Sequence, residues 1–453
     1  MSGTENSMQE LFVHAASLLL GNASDAAGVH EARSVLQALE YEVESSNRID
    51  PQTTNRAHLL LAASRFARVF ELTAPTAPGL ISFGAQFDPA LADKLHEGSP
   101  IVGVSGVGLT LQEAFQGCIG EGIEYLSQLQ AGSDLLLDPS ADDWRGKLGP
   151  NALELVARLS ERRIQPERAL SWCRATRPAD GGEVWLPADI CLRRPPEQRD
   201  FAPPFPLSIG SAAGPSRDAA ALHGLLELIE RDAASLWWRG GQLARSIPPQ
   251  HNAGMVADEL LQKLRHGASP LRRTWLLDIT TDIGVPCIAA VSCRADGGGF
   301  AFGLAARPSL EAAVRSAILE MCQGELADVI VAAKRSERGD GALNAQDRIH
   351  LQRAAINADR CGLLQPVAEH AVHLPFHATE ASVIFELIVE RLEKLEIDTF
   401  CIDLTRERFA VPVVRVIAPG LQLEPSEIIT PRLGDMITRT GGGTTYTGGV
   451  SLI

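Results

Sequence analysis

Three stretches of the chain repeat one spacing: a small residue, Glu seven positions later, then Glu or Gln three further on. They are Ala114…Glu121…Glu124, Ala220…Glu227…Glu230 and Ala313…Glu320…Gln323. Each lies in a run with apolar residues at helical intervals, and positions three apart on a helix share a face. Every stretch therefore presents two oxygen-bearing side chains side by side. A charged pair on a helix is ordinarily solvated, yet Glu227 and Glu230 sit among Leu222, Leu225, Leu226, Leu228 and Ile229. A helix that is apolar around most of its circumference is buried, and burying ionised carboxylates without partners is costly. Arg231 serves one of them. Three such helices converging carry more negative charge than nearby arginines balance. Mg²⁺ resolves the excess, because it takes oxygen ligands and bridges carboxylates to substrate phosphates.

Strands repeat as well. Trp275-Leu-Leu-Asp-Ile-Thr280 precedes Val285-Pro-Cys-Ile-Ala-Ala-Val291, and Phe400-Cys-Ile-Asp-Leu-Thr405 precedes Val411-Pro-Val-Val-Arg-Val-Ile417. Each copy reads as an apolar strand, a polar turn, Val-Pro and a second strand. The expected class is α+β, with internally repeated α/β units whose mixed sheets are covered by the Glu-bearing helices. Upstream, the spacing of Leu36, Leu39 and Val43 and of the stretch 57–72 predicts a mostly helical region up to about residue 95. Thr73-Ala-Pro-Thr-Ala-Pro-Gly79 breaks that pattern, as do the proline-rich stretch 193–206 and the polar loop 336–341. The resulting division is a helical region 1–78, a main domain 79–435, and a Gly/Thr-rich tail 436–453 that is flexible by composition.

The charge balance narrows the function. With 41 Lys and Arg against 56 Asp and Glu the net charge is −15, which argues against nucleic acid as a partner. No apolar run reaches the ~20 residues of a membrane span. The stretch 11–20 contains His14 and follows Glu5 and Glu10, so it does not read as an export signal. The eight cysteines are scattered without a CxxC pair, as expected of reduced, buried thiols in a cytoplasmic protein. His370, His373 and His377 have metal-like spacing, but Pro375 interrupts them and a polar loop is the expectation. His223 is expected to pack in the core, and Trp237–Trp238 to anchor the end of their helix.

No GxxxxGK[ST] phosphate loop is present. Instead Ser105-Gly-Val-Gly-Leu-Thr110 leads to Gly120-Glu-Gly-Ile-Glu-Tyr125. Ser208-Ile-Gly-Ser-Ala-Ala-Gly214 leads to His223-Gly-Leu-Leu-Glu-Leu-Ile-Glu-Arg-Asp-Ala233, and Arg315-Ser-Ala-Ile-Leu-Glu-Met-Cys-Gln323 follows. In order and separation, from about residue 80 to 430, these resemble the YcaO family. The resemblance implies ATP and Mg²⁺ as cofactors, with Glu121, Glu124, Glu227, Glu230 and Glu320 as metal ligands. Arg231 and Arg315 would meet phosphates or hold those carboxylates, and Ser208 and Gly214 would lie along the nucleotide. Glu227, Glu230 and Arg231 would be the catalytic set.

The implied reaction is that of the azoline-forming branch. A Cys, Ser or Thr side chain of a ribosomal precursor peptide attacks the preceding carbonyl, ATP phosphorylates the amide oxygen, and elimination leaves the ring, ADP and phosphate. Implied partners are the precursor peptide, a separate ubiquitin-activating-like or leader-peptide-binding protein, and an FMN-dependent azoline dehydrogenase. The chain departs from the family's pattern at Val107, where Lys is usual, at Gly214-Pro215-Ser216, at Ala219, at Tyr125 in the place of Arg, and in a tail without proline. These departures keep two rival readings in view: a scaffold or peptide-binding subunit that has lost catalysis, and an enzyme forming thioamides or amidines.

Overall fold

The computed structural model describes residues 2–21, 29–42, 50–137, 158–159, 170–266, 272–367, 376 and 378–453; His370, His373 and His377 lie outside them. Its plan is one unit used three times. The strand Val102–Gly108 runs into the helix Leu111–Gln128, Ser211–Ala213 into Arg217–Trp238, and Ala301–Ala306 into Leu310–Arg338. At each junction a hydroxyl ends the turn. Thr110 accepts from the Glu113 N–H, Ser216 from that of Ala219, and Ser309 from that of Ala312, satisfying a helix-start amide that has no intrahelical partner.

Each of these strands belongs to a different sheet. The first sheet orders Arg68–Leu72, Ile81–Phe87 and Val102–Gly108; the second orders Ala301–Ala306, Cys287–Arg294 and Arg272–Asp278. The largest runs from Leu136–Leu137 through Trp172–Arg177, Phe400–Asp403 and Val413–Ile417 to Ser211–Ala213, with Gly182–Pro187 paired to Trp172–Arg177. The two strand pairs read from the Val-Pro repeats are both antiparallel, with Leu276 opposite Ala290 and Cys401 opposite Val416. Glycine lets helix and strand approach closely. A Cβ on Gly106 would stand 2.1 Å from the Cys118 nitrogen, and one on Gly303 2.1 Å from that of Met321.

The N-terminal region differs from its expected helical character. Pro51–Ala63 is helical, capped by Asp50, but the run then stops. Arg68-Val-Phe-Glu-Leu72 alternates and pairs residue by residue with Ile81–Phe87 across the Thr73–Gly79 break; strand pairing outweighs the helical spacing read from 57–72. Phe12, Leu36, Leu60 and Phe66 share one apolar core with Phe87, Phe115 and Ile119. The tail is packed rather than loose. Trp238 Nε1 donates to the Val450 carbonyl at 2.7 Å, Arg353 donates to that of Leu452, and Leu452 is fully buried. Glycine composition misled there because specific hydrogen bonds fix the backbone. Trp237 and Trp238 are buried in an edge-to-face pair, and all eight cysteines are unpaired and buried. Among the described residues no helix is long and apolar enough to cross a membrane.

Candidate active site

The three helices each rest on their own sheet and touch the edge strand of the next unit, and their acidic pairs follow the same rule. In the first helix the Ser105 N–H, on its own strand, faces Glu121, whereas the Ala213 N–H of the second unit faces Glu124. In the second helix Gly210 N donates to Glu227 at 3.0 Å, and Ala306 N of the third unit donates to Glu230 at 3.3 Å. In the third, the Leu304 N–H faces Glu320, and Gln323 Nε2 donates to Ser105 Oγ at 2.9 Å, back in the first unit. The repeated spacing thus closes a ring: the first member of each pair meets the strand of its own unit or the residue just before it, and the second meets the next unit.

Glu121, Glu124, Glu227 and Glu230 line one cavity of about 740 Å³, together with Val107, Gly214, His223, Arg307 and Arg315. Arg231 donates to Glu227 at 3.3 Å and lies 3.8 Å from Glu230. Behind it, Arg231 and Glu320 line a second cavity of about 350 Å³ with Ser105, Phe302, Gln323 and Ile453. Ser208 lines neither cavity; it sits in the preceding turn, where its carbonyl accepts from Ser211 N. Arg315 lines the larger cavity but is committed to another group, reaching both oxygens of Glu113 at 2.7 Å.

The electrostatics are those of a carboxylate crowd. Burial pushes the Glu121 carboxyl up to about 7; the Ser105 N–H opposes the shift, and the Glu227 charge adds to it. Glu121 is itself exposed to the cavity, so its desolvation comes from the enclosing walls. Glu124 and Glu227 are raised too, chiefly by burial. The charges of Glu227 and Glu121 reinforce the shift at Glu124, and that of Glu230 does so at Glu227 against the opposing Arg231. Burial, then the Glu230 charge, takes Glu320 to about 8 despite Arg231 and Arg307. Carboxyls raised by burial and then by one another's charge are a fit for a divalent cation, which reverses that repulsion. Among the described residues no three His, Cys, Asp or Glu side chains are placed to ligate one ion by themselves.

Several lining residues escape the sequence reading. Asn55 and Arg56 come from the helix Pro51–Ala63, and Arg307 from the turn before the third acidic helix; an isolated Arg or Asn in such a segment carries no motif. His223 is not packed in the core as expected but faces the cavity, where burial and the neighbouring Arg307 lower its pKa.

A threefold strand–turn–helix unit around an acidic cavity defines a class of α+β proteins whose site is made of carboxylates rather than of a phosphate-cradling loop. Within that class, residues 105–422 match the family described as YcaO cyclodehydratase, ATP- and Mg²⁺-binding, and the chain belongs to the YcaO family. A relative from Rhizobium leguminosarum bv. trifolii, named only as an uncharacterised protein in the tfuA 3′ region, is 29% identical over 292 residues, which cover 60% of this chain and 66% of that one. Among solved structures, a heterocyclase in complex with substrate and cofactor superposes with a TM-score of 0.66 at 20% identity, covering 86% of this chain and 55% of its own. YcaO from Methanopyrus kandleri, bound with AMPPCP and Mg²⁺, superposes with a TM-score of 0.56 at 20% identity, covering 82% and 91%. The chain therefore spans less than two thirds of the Rhizobium relative and about half of the heterocyclase.

Proposed function

We propose that this chain is an ATP- and Mg²⁺-dependent cyclodehydratase that converts Cys, Ser or Thr of a ribosomal precursor peptide to azolines. The observation that carries the reading is the single cavity into which the backbone and packing of successive units aim Glu121, Glu124, Glu227 and Glu230. Those four would hold Mg²⁺, whose contribution is to neutralise the triphosphate. Glu320 belongs to the same set but faces the adjoining cavity.

Gly214 lines the same cavity and would lie along the nucleotide, with Ser208 supporting it from the turn behind. Arg231 keeps Glu227 and Glu230 in place while facing the second cavity, which suits a peptide: it has an apolar wall at Phe300 and Phe302 beside polar Ser105 and Gln323. Amide oxygen is a poor leaving group and phosphorylation makes it a good one, so the residues' work is positioning and charge balance. Arg315 acts at one remove, tying the start of the first acidic helix to the third through Glu113. A separate ubiquitin-activating-like or leader-peptide-binding protein and an FMN-dependent azoline dehydrogenase complete the proposed assembly in the cytoplasm.

The test is calorimetric binding of Mg–ATP, followed by turnover and peptide mass. Glu227→Gln or Glu230→Gln is expected to abolish ATP turnover with the fold intact, and the peptide product to lose one water per ring. A wild-type chain that does not bind Mg–ATP would leave only the scaffold reading. An oxygen-to-sulfur mass change would move the assignment to thioamide formation.

A further inference from the structure

The acidic pairs of the first and second helices are supported differently. After Glu230 the chain supplies Arg231, whose guanidinium reaches both Glu227 and Glu230. After Glu124 it supplies Tyr125, and a phenol ring neutralises nothing. A cation nevertheless reaches that place from another segment. Arg193, just beyond the short helix Ala188–Cys191, lays its guanidinium over the Tyr125 ring with 4.8 Å to the centroid. Its Nε donates to Gln128 Oε1 at 2.7 Å, and Gln128 Nε2 donates to Glu124 Oε1 at 3.2 Å.

We propose that Arg193 is the positioning residue of Glu124, acting through Gln128 and taking over from the Tyr125 platform the part that Arg231 plays on the second helix. The proposal rests on the reading of Glu124 as part of the Mg–ATP site. Arginine has donors only, so its bond to Gln128 fixes which end of that amide is oxygen, and the NH₂ must then face Glu124. Gln128 is only 1% exposed, so its amide is held by these two partners. The backbone holds the relay in register: Arg193 N donates to the Gln128 carbonyl at 2.7 Å, and Gln130 N to that of Arg193 at 3.0 Å. A charged donor polarises the amide it binds, strengthening the next bond in the chain. Arg193 and Tyr125 thus form one device, which explains how the helix does without an arginine.

The experiment measures Mg–ATP affinity by calorimetry, with the thermal midpoint alongside, for Arg193→Met, Gln128→Met, their double variant, and Arg193→Met combined with Tyr125→Arg. Each single change is expected to weaken binding by about tenfold, the scale of a lost ligand-orienting partner. The double is expected to be no worse than either single, and Tyr125→Arg to restore most of the loss, which a merely structural role would not permit. Affinity within twofold of wild type in either single, or additive losses in the double, overturns the relay. Should Arg193→Met not fold, Gln128→Met decides alone, because it removes the relay and leaves the cation. A wild-type chain that fails to bind Mg–ATP sinks the functional reading, and this inference with it; intact wild-type binding with indifferent variants sinks only the relay.

Discussion

Glu320 and Glu325 stand five positions apart on the same helix, and the protein treats them in opposite ways. Glu325 is sealed in: Arg265 grips both its oxygens at 2.7 Å, Ser292 Oγ donates at 2.6 Å, and Arg272 lies 3.1 Å away. Burial opposes its ionisation, but those donors outweigh burial and hold its carboxyl below the usual range. Glu320 has burial and the Glu230 charge acting on it without comparable compensation, and rises to about 8. Burial alone therefore does not mark a reactive carboxylate. The mark is burial whose cost the protein leaves uncompensated for a ligand to offset.

The sharpest way to break this contrast is to remove each carboxyl in turn. Glu325→Ala leaves Arg265 and Arg272 facing each other in a dry core, and should cost about 3–5 kcal/mol in urea denaturation. Glu320→Gln removes a charge that the folded state disfavours. It should leave stability within about 1 kcal/mol of wild type while reducing Mg–ATP turnover by about tenfold or more. Equal stability losses in the two variants would show that both residues are structural, and would remove Glu320 from the proposed site.

What could be read beforehand follows the same division. The repeat of Ala114, Ala220 and Ala313 with its Glu partners was visible because helical periodicity is local, and so were the Val-Pro strand pairs. The ring itself was not visible: that Glu230 meets the Ala306 N–H and Gln323 the Ser105 hydroxyl depends on contacts between units distant in sequence. Nor could spacing distinguish Glu320 from Glu325, since their difference lies in Arg265, Arg272 and Ser292, all on other elements. Arg68–Leu72 was misread for a related reason. Its pairing partner lies beyond a turn, and the helical spacing of Ala57–Leu72 carried no sign of where the helix would give way. Arg307 and Arg56 stayed hidden because a single basic residue outside a motif has no signature until the chain folds around the cavity.

pH sharpens the comparison further. The folded chain holds a proton on Glu320 that the unfolded chain releases above its ordinary value of 4.5. That group's contribution is therefore most favourable below about 4.5 and is progressively lost as pH rises toward about 8. Glu325 has the opposite sign: its stabilisation is present above the unfolded value and is lost as pH falls through its depressed one. With a chelator present, the stability of wild type relative to Glu320→Gln should fall between roughly pH 5 and 8, and saturating Mg–ATP should reduce that slope. A difference that stays flat, or grows with pH, would contradict the uncompensated state of Glu320.

The smallest effect lies at the helix starts, where one hydroxyl serves each acidic helix. Losing an N-cap costs about 1 kcal/mol in general, but the first and second helices are not equally exposed to that loss. At the first, Glu113 Oε2 accepts the Leu109 N–H at 2.9 Å, and Arg315 pins the same carboxylate from the third helix, so the turn keeps a second anchor when Thr110 is gone. At the second, Ser216 takes the Ala219 N–H at 3.1 Å, and the neighbouring Arg217–Asp403 pair is solvent-exposed at 3.6 Å and stabilises little. Ser216→Ala should therefore cost about 1 kcal/mol and Thr110→Ala about half as much, measured by urea denaturation. Changing Glu113→Gln together with Thr110→Ala should bring the first helix to the larger value; a double variant that costs no more than Thr110→Ala alone would show that the Glu113 anchor contributes nothing, and a Thr110→Ala loss equal to that of Ser216→Ala would show that the two helix starts are equivalent.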